Sequence, residues 1–81
     1  MSLASLRGTW GYKAGSSGTP ALPAGAQVLR ILIASGTLTI NGGDTITAPT
    51  GGLNMRFHHL LLVAPTLNFS AGYFVEYVVP S

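Results

Sequence analysis

Few side chains in this sequence of 81 residues are suited to chemistry, because it holds two histidines, two acidic residues and no cysteine. His58 and His59 are adjacent, and neighbours on a strand point to opposite faces, so they cannot hold one metal ion together from one strand. We interpret them as one histidine at the edge of the core and one at the surface. A histidine ring around an oligomer axis and a catalytic base are the alternatives. The sequence predicts no catalytic residue, no metal and no cofactor, and therefore no enzyme.

The two acidic residues are interpreted as structural. Asp44 directly follows an Asn-Gly-Gly turn, where a short side chain can hydrogen-bond the loop backbone; a calcium or sugar ligand is the alternative. Glu76 lies in an otherwise apolar segment, where a carboxylate needs either water or a cationic partner. We expect it to form an ion pair with Arg30 or Arg56.

Charge is scarce in this chain, with 7% charged residues against 47% hydrophobic ones. Soluble surfaces carry roughly 25–35% charged residues, so we expect much of this surface to face other protein. A domain this small, without a disulfide, gains most from association, and we predict an obligate oligomer.

The net charge of +2 comes from charged residues that are scattered singly along the chain, which argues against nucleic-acid binding. The uncharged run 57–75 contains Pro65 and Gly72, which argues against a membrane helix.

Six or seven short strands and no helix of consequence are predicted from the alternation of apolar and polar residues and from the scattered glycines and prolines. The strongest local signal is a hairpin, in which Asn-Gly-Gly-Asp separates the alternating runs 37–40 and 45–48. The runs 28–33 and 60–63 are almost entirely apolar, which predicts burial on both faces or contact with another subunit. The other expected strands cover residues 7–13, a segment beginning at Leu53, 66–70 and 73–79.

These elements predict a single all-β domain, a small antiparallel β-sandwich or jelly-roll-like barrel. Residues 1–26 are expected to form a first strand and an extended Gly/Ser/Pro-rich arm that reaches over a neighbour, and residues 27–81 the core. Arg30 and Glu76 are expected to set the register between subunits. The expected interface anchors are apolar or aromatic side chains of the predicted strands: Trp10, Leu29, Ile31, Leu60, Leu62 and Tyr77.

Two segments resemble small all-β virion proteins of tailed bacteriophages. Residues 22–49 resemble them in the Gly-Gly-x-Thr-Ile hairpin and the short strands bounded by proline, and the ending at residues 69–80, Phe-Ser-Ala-Gly-Tyr-Phe-Val-Glu-Tyr-Val-Val-Pro, looks similar to the same class. The resemblance implies a capsid decoration (cement) protein without catalytic residues, or a small fibre or knob subunit, commonly trimeric. If the protein is a fibre tip, we expect residues 37–47 and tyrosines to contact cell-surface glycan. It implies a homotrimer in the virion, assembled in the host cytoplasm beside the major capsid protein or another virion protein, without nucleic acid or membrane.

Overall fold

The structure is a computed structural model that describes residues 8–56, 62–63 and 65–80. This part of the chain forms antiparallel strands and no helix, which confirms the predicted all-β class. Nowhere in these ranges is there a helix of the length and apolarity that a membrane span requires. The described residues form eight strands: β1 (Gly8–Gly15), β2 (Gln27–Ile33), β3 (Thr37–Ile40), β4 (Ile46–Thr47), β5 (Leu53–Arg56), β6 (Leu62–Val63), β7 (Leu67–Phe69) and β8 (Tyr73–Pro80).

The strands form two sheets. The larger, five-stranded sheet has the order β1-β8-β2-β5, and β6 also pairs with β2, beside its first residues. The smaller sheet has the order β4-β3-β7. The chain passes from one sheet to the other between β2 and β3, between β4 and β5, and on both sides of β7. The sandwich or jelly-roll assignment stays a prediction.

One apolar core lies between the two sheets. Full burial of an aliphatic or aromatic side chain stabilises the folded state by roughly 1.5–3 kcal/mol, so this shared core is the main force that holds the sheets together. Its buried members are Val28, Ile31, Ile33 and Val75 from the larger sheet and Leu38, Leu67 and Phe69 from the smaller sheet.

A β-bulge in β2 decides which side chains reach this core. The pairing of β2 with β8 shifts between Val28 and Arg30, so Leu29 has no partner of its own. Strict alternation would place Val28 and Ile31 on opposite faces, but the extra residue of a bulge restores them to the same face. The prediction that residues 28–33 are buried on both faces therefore needs correction, because Leu29 and Leu32 are only half-buried.

The predicted hairpin is confirmed. β3 pairs with β4, with Leu38 opposite Ile46, and Asn41 and Gly42 have φ values of 52° and 69°. Such a left-handed backbone is tolerated by Asn and Gly, which is why this loop carries them. Asn41 also anchors the loop, because its backbone N–H donates to the carbonyl of Thr66 and its Oδ1 accepts from the Thr66 N–H.

The first strand expected over residues 7–13 is present as β1, and the segment that follows it is tied to the fold more closely than an extended arm would be. β1 pairs with β8 along its whole length, and Gly18 then exchanges two backbone hydrogen bonds with Phe69 of the smaller sheet. Leu22 packs against the core, and Ala26 is buried. Residues 8–26 therefore belong to the same folded unit as the rest of the described chain.

The number of strands also differs from the prediction. The strand expected to begin at Leu53 is present as two separate strands, β5 and β6, which pair with different parts of β2. Residues 57–61 between them lie outside the described residues. The described part of the chain thus holds eight strands instead of six or seven.

Candidate functional site

The candidate site is the outer face of the larger sheet, which points away from the smaller sheet. Directly paired residues of adjacent strands share a face, and side chains alternate along each strand. Because Ile31 and its partner Val75 lie in the core, their neighbours along the strands point outward. The outer face therefore includes Trp10 and Tyr12 of β1, Phe74 and Glu76 of β8, Arg30 and Leu32 of β2, and Asn54 and Arg56 of β5. Val78, opposite Trp10, lies on the same face but is 0% exposed, so this end of the face is covered within the chain.

Two exposed aromatic side chains stand at one edge of this face. Trp10 is 59% exposed and Tyr12 is 63% exposed. They are two residues apart on β1, so both point outward, about 7 Å apart along the strand. The Tyr12 ring stacks on Phe74 of the adjacent strand, with ring centroids 5.2 Å apart and an interplanar angle of 18°. The Tyr12 ring is thus held by its neighbour, and both Trp10 and Tyr12 remain open to contact.

Glycine–tyrosine contacts fix β1 from its other face. Gly11 is paired with Tyr77, and Gly15 with Tyr73. A Cβ atom at Gly11 would lie 2.7 Å from the Tyr77 hydroxyl oxygen, and one at Gly15 would lie 2.7 Å from that of Tyr73. Glycine in a strand interior often marks such a close approach. These tyrosines hold β1 on β8 and so position the aromatic pair on the outer face.

Three charged side chains and a tyrosine lie in a row across the middle of the outer face. The pairing places Tyr12, Glu76, Arg30 and Arg56 side by side on four successive strands. Nε of Arg30 lies 2.5 Å from Oε1 of Glu76, which confirms the predicted ion pair and selects Arg30 as the partner. The Nε–H of Arg30 has no hydrogen-bond partner in the described residues, so the two groups interact through charge rather than through a directed hydrogen bond.

This ion pair contributes little to stability by itself. The two side chains are 30% and 37% exposed, and exposed pairs contribute about 0–1 kcal/mol. Arg56 lies directly opposite Arg30, and like charges in this arrangement disfavour each other. The row therefore carries one more positive charge than negative charge, and an acidic group on a binding partner would complement it.

Comparison with protein-family models, characterised proteins and solved structures finds no match. The site must therefore be interpreted from its own geometry. Two shallow, open depressions flank Leu32, with volumes of 280 and 380 Å³. Their linings are mainly apolar, and Tyr73 contributes the only ionisable side chain in either. Within the part of the chain that the structure describes, no three His, Cys, Asp or Glu side chains come together as a metal site requires.

The expected anchors are distributed unevenly. The prediction that Ile31 is an interface anchor is wrong, because its side chain is 0% exposed in the protein's own core and cannot reach another subunit. Trp10 lies on the outer face, whereas Tyr77 is half-buried on the other face of the sheet, against Gly11. Leu29 is the half-buried bulge residue, and Leu62 is opposite Val28 in β6.

Of the remaining expected residues, the structure describes Asp44 alone. His58, His59 and Leu60 lie outside the described residues. Asp44 is exposed in the hairpin loop, away from the larger sheet. Tyr12, which the list of interface anchors omitted, belongs to the site together with Trp10.

Proposed function

We propose that this protein is a non-enzymatic structural subunit that decorates and stabilises a bacteriophage capsid as an oligomer, and that it contacts other protein through the outer face. The observation that carries this proposal is the aromatic pair Trp10 and Tyr12, 59% and 63% exposed on a strand that is fixed from both sides. Large exposed aromatic side chains are enriched at protein interfaces, where they provide contact area with few rotatable bonds.

The charges of the outer face support the same function. A protein interface gains specificity when charges on its two sides are complementary. Glu76 and Arg30 already pair with each other, so Arg56 is the charge for which an acidic partner would add the most. With four basic and two acidic residues in the whole chain, this row is a large part of what the protein can use to select its partner.

A fibre tip that binds cell-surface glycan is the second candidate, and the same aromatic pair favours it. Sugar rings stack on exposed aromatic faces, and the exposed Asn54 and Arg56 of the same face could hydrogen-bond hydroxyl groups. The two functions differ in what must remain open to solvent. A fibre tip works with the aromatic pair in water, whereas a capsid subunit covers it with protein.

Reconstitution with empty capsid shells tests the proposal. We expect saturable binding at fixed stoichiometry to shells of the matching phage, together with a higher melting temperature of the shells. Trp10→Ala and Tyr12→Ala should each weaken binding at least tenfold, because truncating an interface aromatic costs more than about 1.4 kcal/mol when it is a hot spot.

Thr47→Ala is the matched control, because Thr47 is exposed on the smaller sheet, and it should bind shells as the unaltered protein does. The proposal fails if shells bind none of these proteins. It also fails if a glycan array binds the unaltered protein and loses that binding with Trp10→Ala, since this outcome favours the fibre tip.

A further inference from the structure

β1 is an open edge of the larger sheet. Its eight residues pair with β8 on one side, and no strand in the described part of the chain pairs with its other side. An open edge presents backbone N–H and C=O groups that can pair with another chain, and proteins usually protect it with proline, inward charges or a bulge. β1 contains no proline, its pairing with β8 is regular, and Lys13 is its only charged residue.

We propose that β1 pairs antiparallel with β1 of a second copy, about a two-fold axis at Gly11. A two-fold contact brings the same surface of both copies together, so the two edges match in length and in hydrogen-bonding groups. Directly opposite residues must share a face. The axis must therefore lie beside one residue, which then sits opposite the same residue of the second copy.

The exposed side chains select Gly11 as that residue. An axis there places Trp10 opposite Tyr12 of the second copy, twice in each contact, and so brings the exposed Trp10 and Tyr12 rings of both copies against one another. Cross-strand aromatic pairs of this kind stabilise sheets. The same register puts Lys13 opposite Thr9 and keeps the two lysines apart, whereas an axis at Lys13 would bring them together and an axis at Tyr12 would leave Trp10 opposite Ala14.

The contact would join two five-stranded sheets into one continuous sheet and make the two outer faces a single surface. This proposed contact rests on the proposed function, which requires self-association, but it names one register between two copies. It predicts pairs of copies, whereas the resemblance to virion proteins implies three.

Disulfide trapping tests this register, because the natural chain contains no cysteine. Thr9→Cys and Lys13→Cys are prepared separately and mixed under mild oxidation. In the proposed register the two cysteines are directly opposite, about 4.5–5.5 Å apart between Cα atoms, which a disulfide can bridge. Two Thr9→Cys chains would be offset by four residues, about 13 Å, which is too far. We expect at least tenfold more cross-linked dimer from the mixture than from either variant alone.

The control mixture combines Thr9→Cys with Thr47→Cys, an exposed position on the smaller sheet, and should cross-link only at the background level. Equal cross-linking in the two mixtures would overturn the proposal.

Hydrogen exchange of the unaltered protein gives a second measurement that does not depend on any variant folding. Amides on the open side of β1 should exchange at least tenfold more slowly at high concentration than after dilution, and an unchanged rate would also overturn the proposal. Shell binding that survives either negative result leaves the proposed function intact.

Discussion

Ile31→Asp is expected to unfold the protein. Ile31 is 0% exposed, and its cross-strand partners are Val75 and Met55, so the new carboxylate would have neither water nor a cation beside it. Burial of an unpaired charge costs several kcal/mol, against a total stability of about 5–15 kcal/mol for native domains, with small domains at the low end. Circular dichroism should show loss of the β-sheet signal at 25 °C, or a melting temperature lowered by more than 15 °C.

Leu32→Asp is the matched control for this prediction. Leu32 is the next residue of the same strand, half-buried and on the outer face, so a carboxylate there can reach water. This variant should remain folded, with a loss of about 1–2 kcal/mol. If Ile31→Asp folds as well as Leu32→Asp, the assignment of the two faces of β2 is wrong.

Trp10→Lys is expected to weaken self-association by at least a factor of 100 without unfolding the protein. Trp10 is more than half exposed in the single chain, so the substitution costs the isolated fold little. In the proposed contact it removes two aromatic pairs at once and places two additional positive charges at the interface, in a chain whose net charge is already +2. Sedimentation equilibrium measures the change, and thermal unfolding of the variant shows whether the fold is retained.

Thr47→Lys carries the same added charge to an exposed position of the smaller sheet. It should associate as the unaltered protein does, which separates the loss of Trp10 from a general effect of charge. Self-association that is equally strong in the two variants would show that Trp10 lies outside any contact between copies.

The local chemistry of the sequence was sufficient to predict the class of fold and the hairpin. Glycine and asparagine are needed where φ is positive, and Asn41 and Gly42 have that backbone. Glu76 could be assigned a cationic partner because the sequence contains so few charges, and the structure identifies that partner as Arg30.

Other features depend on tertiary pairing that a single sequence does not encode locally. The bulge at Leu29 changes which residues of β2 reach the core, and alternation alone cannot reveal an extra residue. Ile31 was therefore expected at an interface, although it lies in the core. The segment after β1 was expected to be an extended arm because it is rich in Gly, Ser and Pro, yet Gly18 finds its hydrogen-bond partner in the distant strand β7.

The central claim is that copies of this protein cover one another's exposed aromatic surface. Light scattering coupled to size-exclusion chromatography, carried out at micromolar concentration, tests it most directly. The account predicts a particle of twice the 8.3 kDa chain mass, which Trp10→Lys converts to the single-chain mass. A stable, soluble particle of 8.3 kDa from the unaltered protein would contradict the account.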